Sequence, residues 1–292
     1  MQLSPPGQDY PRSENLTPDP VAGDPLAGYA QVPVTAVIPA MNEADNLPHV
    51  LTRLPACVTE VILVDGHSTD DTVEVARQIR PDIRIVVQDG RGKGNALKCG
   101  FEAATGQIIV MLDADGSTDP AEIPAYVAAL YEGAEFAKGS RFLNGGGSSD
   151  ITWLRRTGNW FLSGLVNRIW DAGYSDLCYG FNAFWAHCLD HIAPDCDGFE
   201  VETLMNVRAA SAGLRIVEVP SFEHDRIYGQ SNLRVGRDGM RVLRTIMREW
   251  RRGRGREIWL TDEQAVGPAA TTVDLAEPLP ALPALAVVDE TV

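Results

Sequence analysis

Residues 107–120, QIIVMLDADGSTDP, decide the fold: a run of mostly apolar side chains ends in two acids separated by one alanine. A short apolar run bounded by turn-forming residues is the pattern of a strand buried on both faces. Three comparable runs precede it, TAVIPA at 35–40, EVILVD at 60–65 and IRIVVQ at 83–88. Segments of helical period stand between them, among them TDDTVEVARQI at 69–79 and GNALKCGFEAA at 94–104. This alternation predicts an α/β fold with a Rossmann-like, doubly wound, mostly parallel sheet. Ser68 followed by Asp71 resembles a capping box at the start of the second helix, and Pro120 after Asp119 suits a helix's first turn. Beyond AEFAKGSRF (134–142) the rhythm changes. A glycine cluster, NGGGSSD, leads into a long helical stretch over 153–170, a strand GFNAFWA (180–186), a helix around 199–212 and a strand LRIVEVP (214–220). These complete the sheet rather than form a second domain.

The 292 residues are 45% hydrophobic, enough for one substantial core. A formal net charge of −15 argues against duplex nucleic acid as a partner, which would require a broad basic face. Five cysteines, widely spaced and without a C-x-x-C pair, point to a reducing, cytoplasmic compartment. The first residues lack a charged-then-apolar signal pattern, and no stretch is long and apolar enough to span a bilayer. Residues 1–31 carry six prolines, and 261–292 carry six acids and no base, so both read as disordered tails. Between them lie one domain over 32–235 and a basic amphipathic helix over 236–260. Within 237–256 eight arginines face two acids, and Val242, Leu243, Ile246, Met247 and Trp250 recur at helical spacing. This helix either lies on the inner face of an anionic membrane or packs its apolar side on the core.

In doubly wound sheets ligands bind beyond the carboxyl ends of the strands. Four polar clusters lie there: PAMNE (39–43), DGHSTDD (65–71), QDGRGKGNA (88–96) and DADGS (113–117). In extended chain, Asp113 and Asp115 project from one face and can share an ion. Hard carboxylates suit Mg²⁺ or Mn²⁺, which keep substrate phosphate oxygens as further ligands. The alternative is that one acid caps the following turn. Arg91 and Lys93 stand among glycines at a helix start, a setting for an anion or an ordinary glycine-rich turn. Asp65 ends its strand where a carboxylate can accept from a nucleobase or ribose, or can cap its loop. Asn42 and Glu43 have the same two readings.

The ordered set VIPAMNEADNL (37–47), ILVDGHSTDDT (62–72), GKGNALKCGFEAATGQIIVMLDADGSTDP (92–120) and GSRF (139–142) resembles the nucleotide-sugar glycosyltransferases of family 2, with the GT-A fold. It is most similar to their dolichol-phosphate mannose synthase-like branch, over about residues 32–235. The resemblance implies that Pro39, Met41 and Glu43 flank the nucleotide and that Asp65 recognises it. It further implies that Asp113 and Asp115 hold the metal on the sugar diphosphate, with Lys93 near the nucleotide end. Two departures stand out: Gly66 follows Asp65 where the family often has a second acid, and Asn159 stands four residues after Arg155 where the branch has Ser.

By the same resemblance Arg141 and Arg155 hold an acceptor phosphate and Arg226, in HDRIYGQSNLR, the donor diphosphate. Guanidinium fits phosphate bidentately, and the alternative for each is a solvated surface arginine. Asp176 resembles the branch's acid before a glycine-aromatic strand. The expected reaction inverts the anomeric carbon, with the metal held by Asp113 and the catalytic Asp115, together with cationic side chains, stabilising the departing UDP or GDP. A hydroxyl acceptor requires a general base, for which Glu200 and Glu202, with Asp197 nearby, are candidates. A polyprenyl phosphate is already ionised and requires none. Such a hexose transfer belongs to cell-envelope biosynthesis.

The five histidines share no metal spacing, and Trp153, Trp160 and Trp170 read as core or acceptor-groove packing. LDADGS is also similar to the nucleophile motif of haloacid-dehalogenase-like phosphatases, but it follows three strands and Lys138 is the sole lysine after it. A non-catalytic nucleotide-sugar binding module is the remaining alternative.

Overall fold

The structure, a computed structural model, describes Leu26 and residues 31–229 and 235–264, with side chains of the last helix described over 236–253. The tails read as disordered lie outside the described residues apart from Leu26, residue 31 and the helical residues 261–264. Two units divide the chain, Met1–Gly253 and Arg254–Val292. Of the second, residues 254–264 are helical.

Each apolar run becomes a strand because its side chains can be buried on both sides. The elements are β1 (Val34–Ala40), α1 (Leu47–Leu51), β2 (Val58–Asp65), α2 (Thr72–Ile79), β3 (Arg84–Val87), α3 (Gly92–Ala103) and β4 (Ile108–Met111). There follow α4 (Ile123–Tyr131), β5 (Phe136–Ser140), β6 (Gly147–Ser148), α5 (Trp153–Trp170) and β7 (Asn182–Trp185). The last are α6 (Leu189–Ile192), α7 (Val201–Ser211), β8 (Ile216–Pro220), β9 (Phe222–Glu223) and α8 (Val235–Gln264). Seven strands form one sheet in the order β3-β2-β1-β4-β7-β5-β8, and β6 and β9 pair separately. All neighbours in the large sheet are parallel except β7, which runs antiparallel to both β4 and β5.

Strand alternation sends Ala36, Ile38 and Leu63 into one apolar layer with α1, α2 and α4. Val37, Ile62 and Val64 enter the opposite layer with α3 and α7. Register aligns the strand ends: Ala40 lies opposite Asp65, and Asp65 opposite Val87. Met111, the last residue of β4, lies opposite Val37. The chain after β4 therefore leaves the sheet beside the end of β1.

Three local expectations change, and one choice left open is decided in part. The extended backbone expected through Asp115 stops at Met111, and residues 114 and 115 form a turn. Ser68 does not cap α2: its hydroxyl accepts from the Asn42 amide, and Asp70 instead accepts from the Thr72 amide. Trp153 and Trp160 are 77% and 75% exposed, because the buried side of α5 is taken by Asn159, Leu162, Ser163 and Val166. Of the apolar stripe of α8, Val242 and Ile246 pack on the core beside Leu162, Val166 and Val207 of α5 and α7, in line with the second of its two readings. No described helix is long and apolar enough to cross a membrane.

Ile246 is fully buried in this small cluster. Ile246→Ala is expected to lower the unfolding free energy by about 2–5 kcal/mol, whereas the exposed Met240→Ala changes it by about 0.5 kcal/mol or less; urea unfolding of the two variants measures both.

Candidate functional site

The loops after β1 and β2 are tied to one another. Asn42 adopts φ 59°, a left-handed backbone that asparagine tolerates. From there its side chain accepts from the Thr69 amide at 2.8 Å. The Glu43 amide donates to Thr72 at 2.9 Å and the Ala44 amide to Asp70 at 3.2 Å. Asp65 is buried and accepts from the Ser68 amide at 3.1 Å, so in this structure it serves its loop. The departure at Gly66 has a steric cause, since a Cβ there would lie 3.0 Å from the Met41 Cβ and 3.2 Å from the Ala40 carbonyl.

The acidic turn after β4 is held by two cations. Lys93, on the first turn of α3, reaches Asp113 at 2.5 Å and Glu202 of α7 at 2.6 Å. Arg226 reaches Asp115 at 3.2 Å and Glu43 at 2.9 Å. Burial disfavours the Lys93 charge, but Asp113 and Glu202 outweigh it and raise its pKa, so it stays an ammonium. Glu43 is raised chiefly by burial, against the opposing effects of Asn46 and Arg226. Asp115 also accepts from the Ser117 amide at 3.0 Å and its hydroxyl at 2.7 Å, so the turn-capping reading holds for this acid.

These four carboxylates and two cations leave two negative charges in excess, which a divalent cation would neutralise. The donor set fits Mg²⁺ or Mn²⁺: two hard carboxylates on one turn, side chains 31% and 19% exposed, facing the cavity where diphosphate oxygens would complete the shell. Among the described residues no group of three or more His, Cys, Asp or Glu side chains is placed to hold a metal without such help.

The glycines of the α3 start serve packing. A Cβ on Gly92 would lie 2.1 Å from the Asp197 carbonyl and one on Gly94 2.1 Å from that of Cys196. The Gly94 amide donates to the Asp197 carbonyl at 3.0 Å, so this amide is spent inside the protein. Gly180 closes the back of the cluster, where a Cβ would stand 3.0 Å from Lys93 Nζ and 3.2 Å from Glu202 Oε1.

One cavity of about 1150 Å³ joins these parts. Pro39, Met41, Glu43, Lys93, Asp113, Asp115 and Arg226 line it at the strand ends; Asp65 does not, though Gly66 does. Arg141, Arg155, Glu200 and Glu202 line its other side. Glu200 has a buried carboxylate oxygen, Oε2, with no hydrogen-bond partner, whereas Glu202 is taken by Lys93.

Arg141, read as an acceptor-phosphate ligand, is buried and already committed. It donates to both oxygens of Asp176, at 2.7 and 2.9 Å, and to Glu223 at 3.0 Å. Arg155 is the more open of the two, paired with Asp150 at 2.6 Å and lying 3.8 Å from Glu223. Asn159 explains the second departure: its side-chain oxygen accepts from the Leu177 and Cys178 amides at 3.1 Å. Glu223 and Asp150 are residues the motif reading missed; Glu223 joins the two arginines from the position just before the segment noted for Arg226.

Burial alone would raise the Asp176 carboxyl, but the Arg141 hydrogen bonds and charge hold it below the ordinary range. With the folded-state value depressed, the pair's stabilisation is present above the ordinary Asp value of about 3.9 and is lost as pH falls through the folded-state value. Asp176→Asn is expected to cost about 3–5 kcal/mol at neutral pH, because Arg141 is left partly uncompensated, and to flatten the acid limb of stability measured by urea unfolding between about pH 7 and about pH 3.

A model of glycosyl transferase family 2 matches residues 35–192. An uncharacterized glycosyltransferase of Mycobacterium tuberculosis (strain ATCC 25618 / H37Rv) is 35% identical over 209 residues, covering 71% of this chain and 91% of its own. An undecaprenyl-phosphate 4-deoxy-4-formamido-L-arabinose transferase of Proteus mirabilis is 30% identical over 68% of this chain and 62% of its own length. Among solved structures, glucosyl-3-phosphoglycerate synthase from Mycobacterium tuberculosis, in complex with Mn²⁺, UDP and glucosyl-3-phosphoglycerate, superposes with a TM-score of 0.60 at 22% identity, over 76% of this chain and 80% of that one. At that identity the likeness shows the fold, a mostly parallel GT-A sheet with flanking helices. With the family model and the relatives, it establishes that this chain is a glycosyltransferase of family 2.

Proposed function

We propose that this glycosyltransferase moves a hexose, with inversion, from a UDP- or GDP-sugar to a polyprenyl phosphate, with Mg²⁺ or Mn²⁺ held by Asp113 and Asp115. The observation that carries the reading is the pairing of Asp113 with Lys93 and of Asp115 with Arg226 at the mouth of one cavity. Two acids and two cations so arranged can exchange partners. With a metal and a diphosphate bound, Asp113 and Asp115 would hold the ion, and Lys93 and Arg226 would pair with phosphate oxygens.

Bound there, the ion would supply neutralisation of the charge that develops on the departing nucleoside diphosphate. Pro39, Met41 and Glu43 would flank the nucleotide, with Asp65 behind them bracing the loop, and Arg226 would close over the diphosphate. Arg155, the more open arginine of the far side, would orient the acceptor phosphate by its fork of donors, with Arg141 holding Glu223 in place behind it. A phosphate acceptor is an anion at neutral pH and attacks without a base. The Proteus mirabilis relative, named for an undecaprenyl-phosphate substrate, supports this choice.

A second reading has its own observation. Glu200 lines the same cavity and has one carboxylate oxygen, Oε2, without a hydrogen-bond partner, so its carboxylate would serve as the general base for a hydroxyl acceptor. Glu202, neutralised by Lys93, is less suited to that role.

Asp115→Ala is expected to reduce transfer by about 10²–10³-fold or more, with the fold retained by circular dichroism; wild-type turnover in that variant contradicts the metal assignment. Radiolabelled transfer with polyprenyl phosphate and with soluble hydroxyl acceptors separates the two acceptor readings. The phosphate reading expects a lipid-linked product and near wild-type activity in Glu200→Gln. Product with hydroxyl acceptors alone, abolished by Glu200→Gln, establishes the second.

A further inference from the structure

The outer side of α5 exposes large apolar residues, of which only Leu154 lines the cavity of the site. Trp153, Leu154, Trp160 and Phe161 are 77%, 52%, 75% and 57% exposed. Their spacing, two helical turns between the pairs, puts all four on one stripe, opposite the buried Leu162 and Val166. Isolated exposed apolar residues are ordinary on protein surfaces, but four large ones on one stripe, two of them tryptophan, mark an interaction surface.

Three further observations identify the partner. Within Trp153–Trp170 there are three arginines, Arg155, Arg156 and Arg168, and no acid, in a chain whose acids outnumber its bases by 40 to 25. The stripe from Trp153 to Phe161 is about 12 Å long, too short to cross an apolar layer of about 30 Å but suited to lying along its surface. Leu154 belongs both to the stripe and to the wall of the cavity, next to Arg155. Tryptophans flanked by arginines fit the headgroup region of an anionic bilayer, where the ring has both apolar and polar surroundings.

We propose that this face of α5 docks on the surface of an anionic membrane, with Trp153, Trp160 and Phe161 immersed among the headgroups and the cavity opening at Leu154 toward the lipid. The inference relies on the proposed function only for its purpose, which is to bring Arg155 to the level of a lipid-borne phosphate. It places membrane contact on α5 rather than on α8, whose Val242 and Ile246 pack on the core.

The test uses the full chain and vesicles of phosphatidylcholine with phosphatidylglycerol, or of phosphatidylcholine alone, without donor or acceptor. The protein is expected to sediment with the anionic vesicles, and its tryptophan emission to shift to the blue and be quenched by brominated lipid. The double substitution Trp153→Ser, Trp160→Ser is expected to weaken vesicle partition by about tenfold or more while leaving turnover of a short, water-soluble polyprenyl phosphate unchanged. Failure of the wild type to bind, or equal binding by the double variant, overturns the proposal. So does a wild-type dimer in light scattering that the substitutions convert to monomer without any vesicle binding, since a second copy then covers the face. Vesicle binding without product on any lipid phosphate would instead count against the acceptor reading and leave the docking face standing.

Discussion

Carboxylates gathered at the ends of neighbouring parallel strands repel one another, and Lys93 and Arg226 allow them to stand together. Lys93 joins Asp113 to Glu202, and Arg226 joins Asp115 to Glu43. Each cation thus binds the acidic turn after β4 to a second element, α7 in one case and the loop after β1 in the other. The arrangement holds the loops in register and keeps an excess of negative charge in a partly buried cavity. Removing either cation would leave like charges facing each other with little water to screen them.

The architecture around this cluster follows from backbone approach. Residues 196 and 197 press their carbonyls against the start of α3, and Gly180 brings its backbone under Lys93 and Glu202. Lys93 is therefore enclosed by its two acids and by main chain, which is why its charge is favoured despite burial. On the opposite side Arg141, Asp176 and Glu223 form a second buried ionic group, with Arg155 and Asp150 at its open edge. Under the proposed function, one side of the cavity would exchange its ion pairs for a diphosphate and metal, and the other would present an arginine from a fixed support.

Much of this was legible in the chain because the signals are local. Strands buried on both faces read as continuous apolar runs, so β1 to β4 and their parallel direction are visible in the sequence, as are the polar clusters at their ends. What escaped depends on contacts between distant residues. The antiparallel insertion of β7 between β4 and β5 is set by pairings such as Ile109 with Phe184, which no local period encodes. Glu223 meets Arg141 across 82 residues and looked unremarkable in its own segment. The acids at 113 and 115 were placed on extended chain because apolarity carries on to Leu112, but the ladder ends at Met111 and Ser117 draws Asp115 into a turn. The exposed tryptophans of α5 escaped for a related reason: that helix is apolar over most of its circumference, and only packing decides which arc is covered.

The central claim is that Asp113 and Asp115 grip a divalent cation on which the sugar diphosphate rests. Its most direct test is the anomalous scattering of manganese in crystals soaked with Mn²⁺ and a nucleoside diphosphate. The account predicts a manganese peak in contact with both carboxylates and the diphosphate, with Lys93 and Arg226 turned from the acids to phosphate oxygens. A bound nucleotide with manganese elsewhere, and with both cations still seated on Asp113 and Asp115, would contradict it.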